Sequence, residues 1–196
     1  MSDRRAAIRR ERNERRKAEK HKAPVSRLER ADLKGSDDGR VLAFSIVFCI
    51  LKEKYDFGRK KLLRMCDLIS HESLKFRQMA TAFNVGFYRD RMIERMGQID
   101  LKIIPERLEE AVYKAQRDET FISSCAIIFM VLNQEFGFSS NSKGTGRTDI
   151  IMEYTMNEFI KFNLDAKRDA AWYYARFKRI TGIDLEADDN EQKQSK

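Results

Sequence analysis

Phe48-Cys49-Ile50-Leu51-Lys52-Glu53-Lys54-Tyr55-Asp56-Phe57 and Phe129-Met130-Val131-Leu132-Asn133-Gln134-Glu135-Phe136-Gly137-Phe138 decide how this chain is read. Phe48, Ile50, Leu51, Tyr55 and Phe57 each stand 81 positions before a residue of the same character: Phe129, Val131, Leu132, Phe136 and Phe138. Each stretch is an apolar helix that ends in aromatic-x-Phe. Further matches follow in the same order. Leu62-Leu63 pair with Ile150-Ile151 at a separation of 88, after seven extra residues in the second copy. Phe87-Tyr88, Arg91, Met92 and Gly97 pair with Trp172-Tyr173, Arg176, Phe177 and Gly182 at a separation of 85. Ordered matches with loop-sized shifts between them are the signature of an internal repeat. The expected fold is all-α: a helical bundle of two tandem three-helix units, with a basic N-terminal arm, arranged about a pseudo-two-fold.

Working outward, apolar residues recur at helical spacing and no sustained strand alternation interrupts them. Helices are expected at 40–55, 59–70, 72–96, 105–118, 120–136, 148–162 and 165–180. Pro105 would open one of them, and Gly182 would close the last. Gly35-Ser36-Asp37-Asp38-Gly39 reads as turn chemistry. The organisation predicted is a basic arm at 1–24, a linker at 25–40, and a first helical unit with a connecting helix at 41–118. A second unit at 119–183 and an acidic tail at 184–196 complete it.

The totals narrow the function classes. Of 196 residues, 42% are hydrophobic, enough for a real core, and 36% are charged, which calls for exposed helices and polar ends. The net charge of +8 is unevenly spread: +6 in residues 1–22, −3 in residues 184–196 and +5 between them. Cys49, Cys66 and Cys125 stand alone in apolar helical text, as buried free thiols of a reducing compartment do. His21 and His71 are too few and too distant for a zinc site. The apolar runs 41–51 and 122–132 are about half the ~20 residues of a membrane span, so no membrane partner is expected. The basic start leads into no apolar segment of the export type, which points to the cytoplasm.

The candidate chemistry is cationic. On a helical wheel Arg5, Arg9, Arg12, Arg16 and Lys20 fall on one stripe, with Asp3, Glu11 and Glu14 opposite. A one-sided stripe of this kind suits a phosphate backbone, because each neutralised phosphate releases counterion. With few apolar side chains between Ile8 and Val25, the arm is expected to stay off the core. Arg59, Lys60 and Lys61 crowd one helix start, and Lys143 and Arg147 lead into another through Gly144-Thr145-Gly146. Cations there oppose the helix dipole, unless an anion sits among them or Asp56 and Asp149 pair with them. The 168–179 segment mixes Trp172, Tyr173, Tyr174 and Phe177 with cations. It reads either as a base-stacking surface or as a core helix with Arg176 and Arg179 on its solvated face. No nucleophile with its base, no carboxylate pair in apolar surroundings and no ligand spacing emerges, so neither an enzyme nor a cofactor is expected.

The segment Arg9-Arg10-Glu11-Arg12-Asn13-Glu14-Arg15-Arg16-Lys17-Ala18-Glu19-Lys20 resembles the arginine-rich RNA-binding peptides of lambdoid phage antitermination proteins, although no aromatic precedes Phe44. Leu51 through Leu62, around Tyr55-Asp56-Phe57-Gly58-Arg59-Lys60-Lys61-Leu62, is similar to a segment of small helical proteins of phages and prophages of Gram-positive bacteria. In the second copy Ser139 replaces its glycine. These resemblances imply a phage accessory or regulatory protein in a bacterial host, with DNA or RNA as partner. A pseudo-two-fold body would suit two half-sites on duplex DNA. The competing expectation is an inhibitor or adaptor that docks on a host protein, with the arm as a solubility or docking tail.

Overall fold

A computed structural model describes residues 26–78, 83–97, 107–141 and 143–184. Those residues form six helices and no strand: α1 (Arg27–Tyr55), α2 (Arg59–Gln78), α3 (Phe83–Gly97), α4 (Leu108–Phe136), α5 (Arg147–Leu164) and α6 (Ala170–Thr181). The basic arm with Arg5, Arg9, Arg12, Arg16 and Lys20 lies outside the described residues, as do Pro105 and the tail from 185 onward.

The expected linker at 25–40 is corrected: its residues 27–40 form the first half of α1, with Ser26 as the cap. The helix starts at a reciprocal cap. The Glu29 amide donates to Ser26 Oγ at 3.1 Å, and the Ser26 amide donates to the Glu29 carboxylate at 2.7 Å. Gly35 and Gly39 are helical because only glycine lets α4 come this close. A Cβ on Gly35 would stand 2.5 Å from the Tyr113 carbonyl oxygen, and one on Gly39 2.3 Å from that of Arg117. Beside this approach Tyr113 donates to Asp38 at 2.7 Å. Burial, with that hydrogen bond to Asp38, raises the Tyr113 hydroxyl pKa to about 12.

α4 is one unbroken helix where two were expected. It has 29 residues, as α1 does, and both its ends are displaced from those of α1 by the same 81 positions. The two helices run parallel and in equal register. Gly35 lies beside Gln116 and Gly39 beside Thr120 at one end, and the Phe57 and Phe138 rings meet at 5.7 Å at the other. Both helices end alike. The Phe57 amide donates to the Leu51 carbonyl at 3.2 Å and the Phe138 amide to the Leu132 carbonyl at 3.0 Å. The residue between, Asp56 or Gly137, takes the left-handed conformation typical of a helix C-terminus.

The other helices cross over. α6 packs on α1 and α3 on α4, while α5 rests on α1 and α2 on α4. The expected division into two tandem three-helix units is not shown by this packing. Each half lays its second and third helices on the long helix of the other half. The physical reason is the α1–α4 pair, which uses the apolar face of each long helix against its counterpart. One core results, containing Phe48, Leu51, Phe121, Phe129, Phe159, Tyr173 and Phe177. Cys49 and Cys125 are buried in it, Cys66 lies partly exposed, and none of the three is in a disulfide. Burial raises the pKa of the Cys49 thiol to about 12, so it stays protonated.

Candidate nucleic-acid interface

Where α1 and α4 end, four aromatic rings close the bundle. Tyr55 meets Phe138 at 5.3 Å and Phe57 meets Phe136 at 5.3 Å, with the Phe57–Phe138 contact between them. Phe57 and Phe138 are buried. Gly58 and the 139–146 loop lead directly from these rings into α2 and α5, so both helix starts emerge at the same end. Arg59, Lys60, Lys61, Lys143 and Arg147 are all exposed there. Lys61 Nζ sits 5.4 Å from the Phe57 ring centre and the Arg147 guanidinium 5.8 Å from that of Phe138. At such range a cation gains roughly 0.5–1 kcal/mol from an aromatic face in an exposed site.

Among the described residues no ion pair joins any of these five cations to an acid. Asp56, the left-handed residue that ends α1, keeps an exposed carboxylate but forms no ion pair with any of the five. Asp149 turns inward. Its carboxylate accepts from the amides of Asn141 (3.0 Å) and Gly146 (3.1 Å) and from the Ser140 hydroxyl (2.7 Å), and it is paired with Arg91 at 2.7 Å. The two starts therefore differ. α5 is capped by its own buried acid, whose charge Arg91 balances. α2 follows Gly58, which has no side chain to cap with, and its first turn holds no acid. The expectation of an anion among the cations thus fits α2 better than α5.

Sequence reasoning missed the tether that shapes the second start. Arg91 reaches from α3 to Asp149 and Ser140, and Arg95 donates to the Asp149 carbonyl at 3.2 Å. Asp149→Ala should cost about 3 kcal/mol, because it strands a half-buried arginine and frees the cap amides. A denaturant midpoint shift with an unchanged slope would measure it. The one visible signal was an acid in the first turn of an expected helix.

Both arginines of the repeated aromatic-Tyr-x-x-Arg pattern are tethers. Arg176 is not on a solvated face: it holds Glu53 of α1 at 3.0 Å and Glu158 of α5 at 3.4 Å. Burial opposes the charge of Glu158, but Lys161, Arg176 and the Tyr173 hydroxyl together hold its pKa below the usual range. Of the aromatics nearby, Tyr173 and Phe177 are core, and Trp172 is partly exposed with the Arg168 guanidinium 5.3 Å from its ring. Arg117 is a second feature that no local signal announced. It is buried against Phe162 and Phe159, paired with Asp118 at 2.6 Å and donating to Asn163 at 2.8 Å.

No helix among the described residues is long and apolar enough to cross a membrane, and no metal-ligand cluster occurs among them. No protein-family model, curated protein or solved structure matches the chain.

Proposed function

We propose that this protein binds nucleic acid through the end of the bundle where α2 and α5 begin, as a non-enzymatic phage accessory or regulatory protein. The observation that carries the reading is the set of five exposed cations around the aromatic closure, none of them in an ion pair among the described residues, with Asp149 turned inward onto Arg91. Surface lysines and arginines placed among acids are ordinary solvated charge. A group that outnumbers the exposed acid beside it, Asp56, and is held in no ion pair keeps a net positive field for an external anion. The uncapped start of α2 adds amide dipoles of the same sign. We propose as well that the two halves are copies of one motif, which explains why both helix starts carry cations and share one end. The arm at 1–24 would add attraction without register, as a long cationic stripe does on any phosphate backbone.

The full chain should therefore bind a fluorescent oligonucleotide with an affinity that falls steeply as salt rises. Replacing Arg59, Lys60 and Lys61 together by Gln should lower the slope of log affinity against log salt by about 2–3, because each phosphate contact contributes roughly 0.7–0.9. These side chains are exposed, so stability should fall by no more than the Lys61–Phe57 contact supplies, about 0.5–1 kcal/mol. An intact chain that binds no oligonucleotide at modest ionic strength would remove the reading. A triple variant with the parent slope would remove these residues from the site.

A further inference from the structure

The aromatic closure is two-fold symmetric in its contacts. Exchanging each residue for its partner 81 positions away turns the Tyr55–Phe138 contact into Phe136–Phe57, and both are 5.3 Å. The same exchange returns the Phe57–Phe138 contact to itself. A local dyad therefore runs between the parallel helices α1 and α4 and leaves the molecule between those two rings. Arg59 and Arg147 are the first residues of α2 and α5, and they are partners at the separation of 88 that relates those helices. α2 lies on α4 and α5 on α1, so the two arginines stand on opposite sides of the axis.

Just outside the closure the exchange no longer holds residue by residue, although a cation meets a ring on both sides. The Arg64 guanidinium of α2 sits 5.7 Å from the Phe136 ring of α4, and Lys54 Nζ of α1 sits 4.2 Å from the Tyr154 ring of α5. The seven-residue insertion in the second copy departs from symmetry, yet it brings no uncompensated acid to the surface. Asp149, the acid nearest Arg147, has a fully buried side chain and is balanced by Arg91.

A double-stranded nucleic acid has local dyads perpendicular to its axis, relating its two antiparallel phosphate backbones; a single strand has none. Proteins with a two-fold meet duplexes by aligning the two axes. We infer that the ligand of this end is a duplex, seated with its dyad on the Phe57–Phe138 axis so that Arg59 faces one backbone and Arg147 the other. The inference rests on the proposed function and narrows it from nucleic acid to double-stranded nucleic acid. Contact with backbones alone carries no sequence preference, so positions along a duplex are equivalent to first order.

The test uses the full chain with one labelled oligonucleotide as a DNA duplex, as the matching RNA duplex and as its separate strands. Binding isotherms are taken at several salt concentrations for the parent, Arg59→Gln, Arg147→Gln and the double variant. The parent should hold a duplex at least tenfold tighter than either strand. Each single substitution should weaken duplex binding by a similar factor and lower the salt slope by about 0.9, and the double variant should show the product of the two losses. Comparison of the two duplexes tells which helical form fits. If Arg147→Gln loses melting temperature through its contact with Phe138, Lys143→Gln, in the loop that leads into α5, takes its place. Single strands bound as tightly as the duplex would overturn the inference, as would one side of the axis mattering and the other not. Either result leaves nucleic-acid binding itself standing, whereas binding to none of the probes defeats the proposed function.

Discussion

Gly39→Ala is expected to destabilise the chain by about 3 kcal/mol or more, against the sign that helix propensity alone would give. In an open helix position the same change stabilises by roughly 0.5–1 kcal/mol, because alanine loses less backbone entropy on folding. At Gly39 the added methyl would stand 2.3 Å from the Arg117 carbonyl oxygen and 3.0 Å from the Phe121 amide nitrogen. Both are backbone atoms of α4, so relief requires the two long helices to separate, and that opens the core from Phe121 onward. Gly86 is the internal control. It lies within α3 with nothing inside 4 Å of a Cβ, so Gly86→Ala should raise stability by a few tenths to ~1 kcal/mol. Urea unfolding of the two variants beside the parent measures both signs. A neutral Gly39→Ala would mean that α1 and α4 do not meet along their first halves.

Truncating either ring of the aromatic closure should cost about 3–5 kcal/mol, the usual range for a buried phenylalanine reduced to alanine. Phe57→Ala removes contacts with Phe136 and Phe138 and the ring beneath Lys61; Phe138→Ala removes those with Tyr55 and Phe57 and the ring beneath Arg147. The double variant should be less damaging than the sum of the singles by about 0.5–1.5 kcal/mol, the coupling typical of one aromatic pair. Additive losses would show that the two rings do not touch. The same variants bear on function, because α2 and α5 start from these residues. A loosened closure should weaken nucleic-acid binding even with every cation in place.

Much of the frame was legible in the sequence because it is written in short-range periodicity. The apolar faces of α1 and α4, the aromatic-x-Phe that ends each, and the helix starts at Arg59 and near Thr148 could all be read within a turn or two. Gly35 to Gly39 could not. Gly, Ser and Asp are poor helix formers that favour turns, and only contact with a helix some 80 residues away makes them helical. The capping pattern Ser26-x-x-Glu29 was present and marked the true start of α1. Which half packs on which was equally hidden, since a repeat pattern fixes the elements and leaves their partners open. Asp149 with Arg91, and Arg117 with Asp118 and Asn163, are bonds whose meaning lies in burial, and burial at a charged residue leaves no mark on the local text.

For the candidate site the sequence supplied the cations, and the structure brought the two groups to one end and turned Asp149 inward onto Arg91. The most direct test of that placement is an amide chemical-shift titration of the isotopically labelled full chain with a short duplex oligonucleotide. Residues 58–62 and 143–148 should shift together and saturate at one stoichiometry, while residues 28–34 at the far end of α1 stay still. Shifts confined to residues 1–22, or absent altogether, would contradict the account.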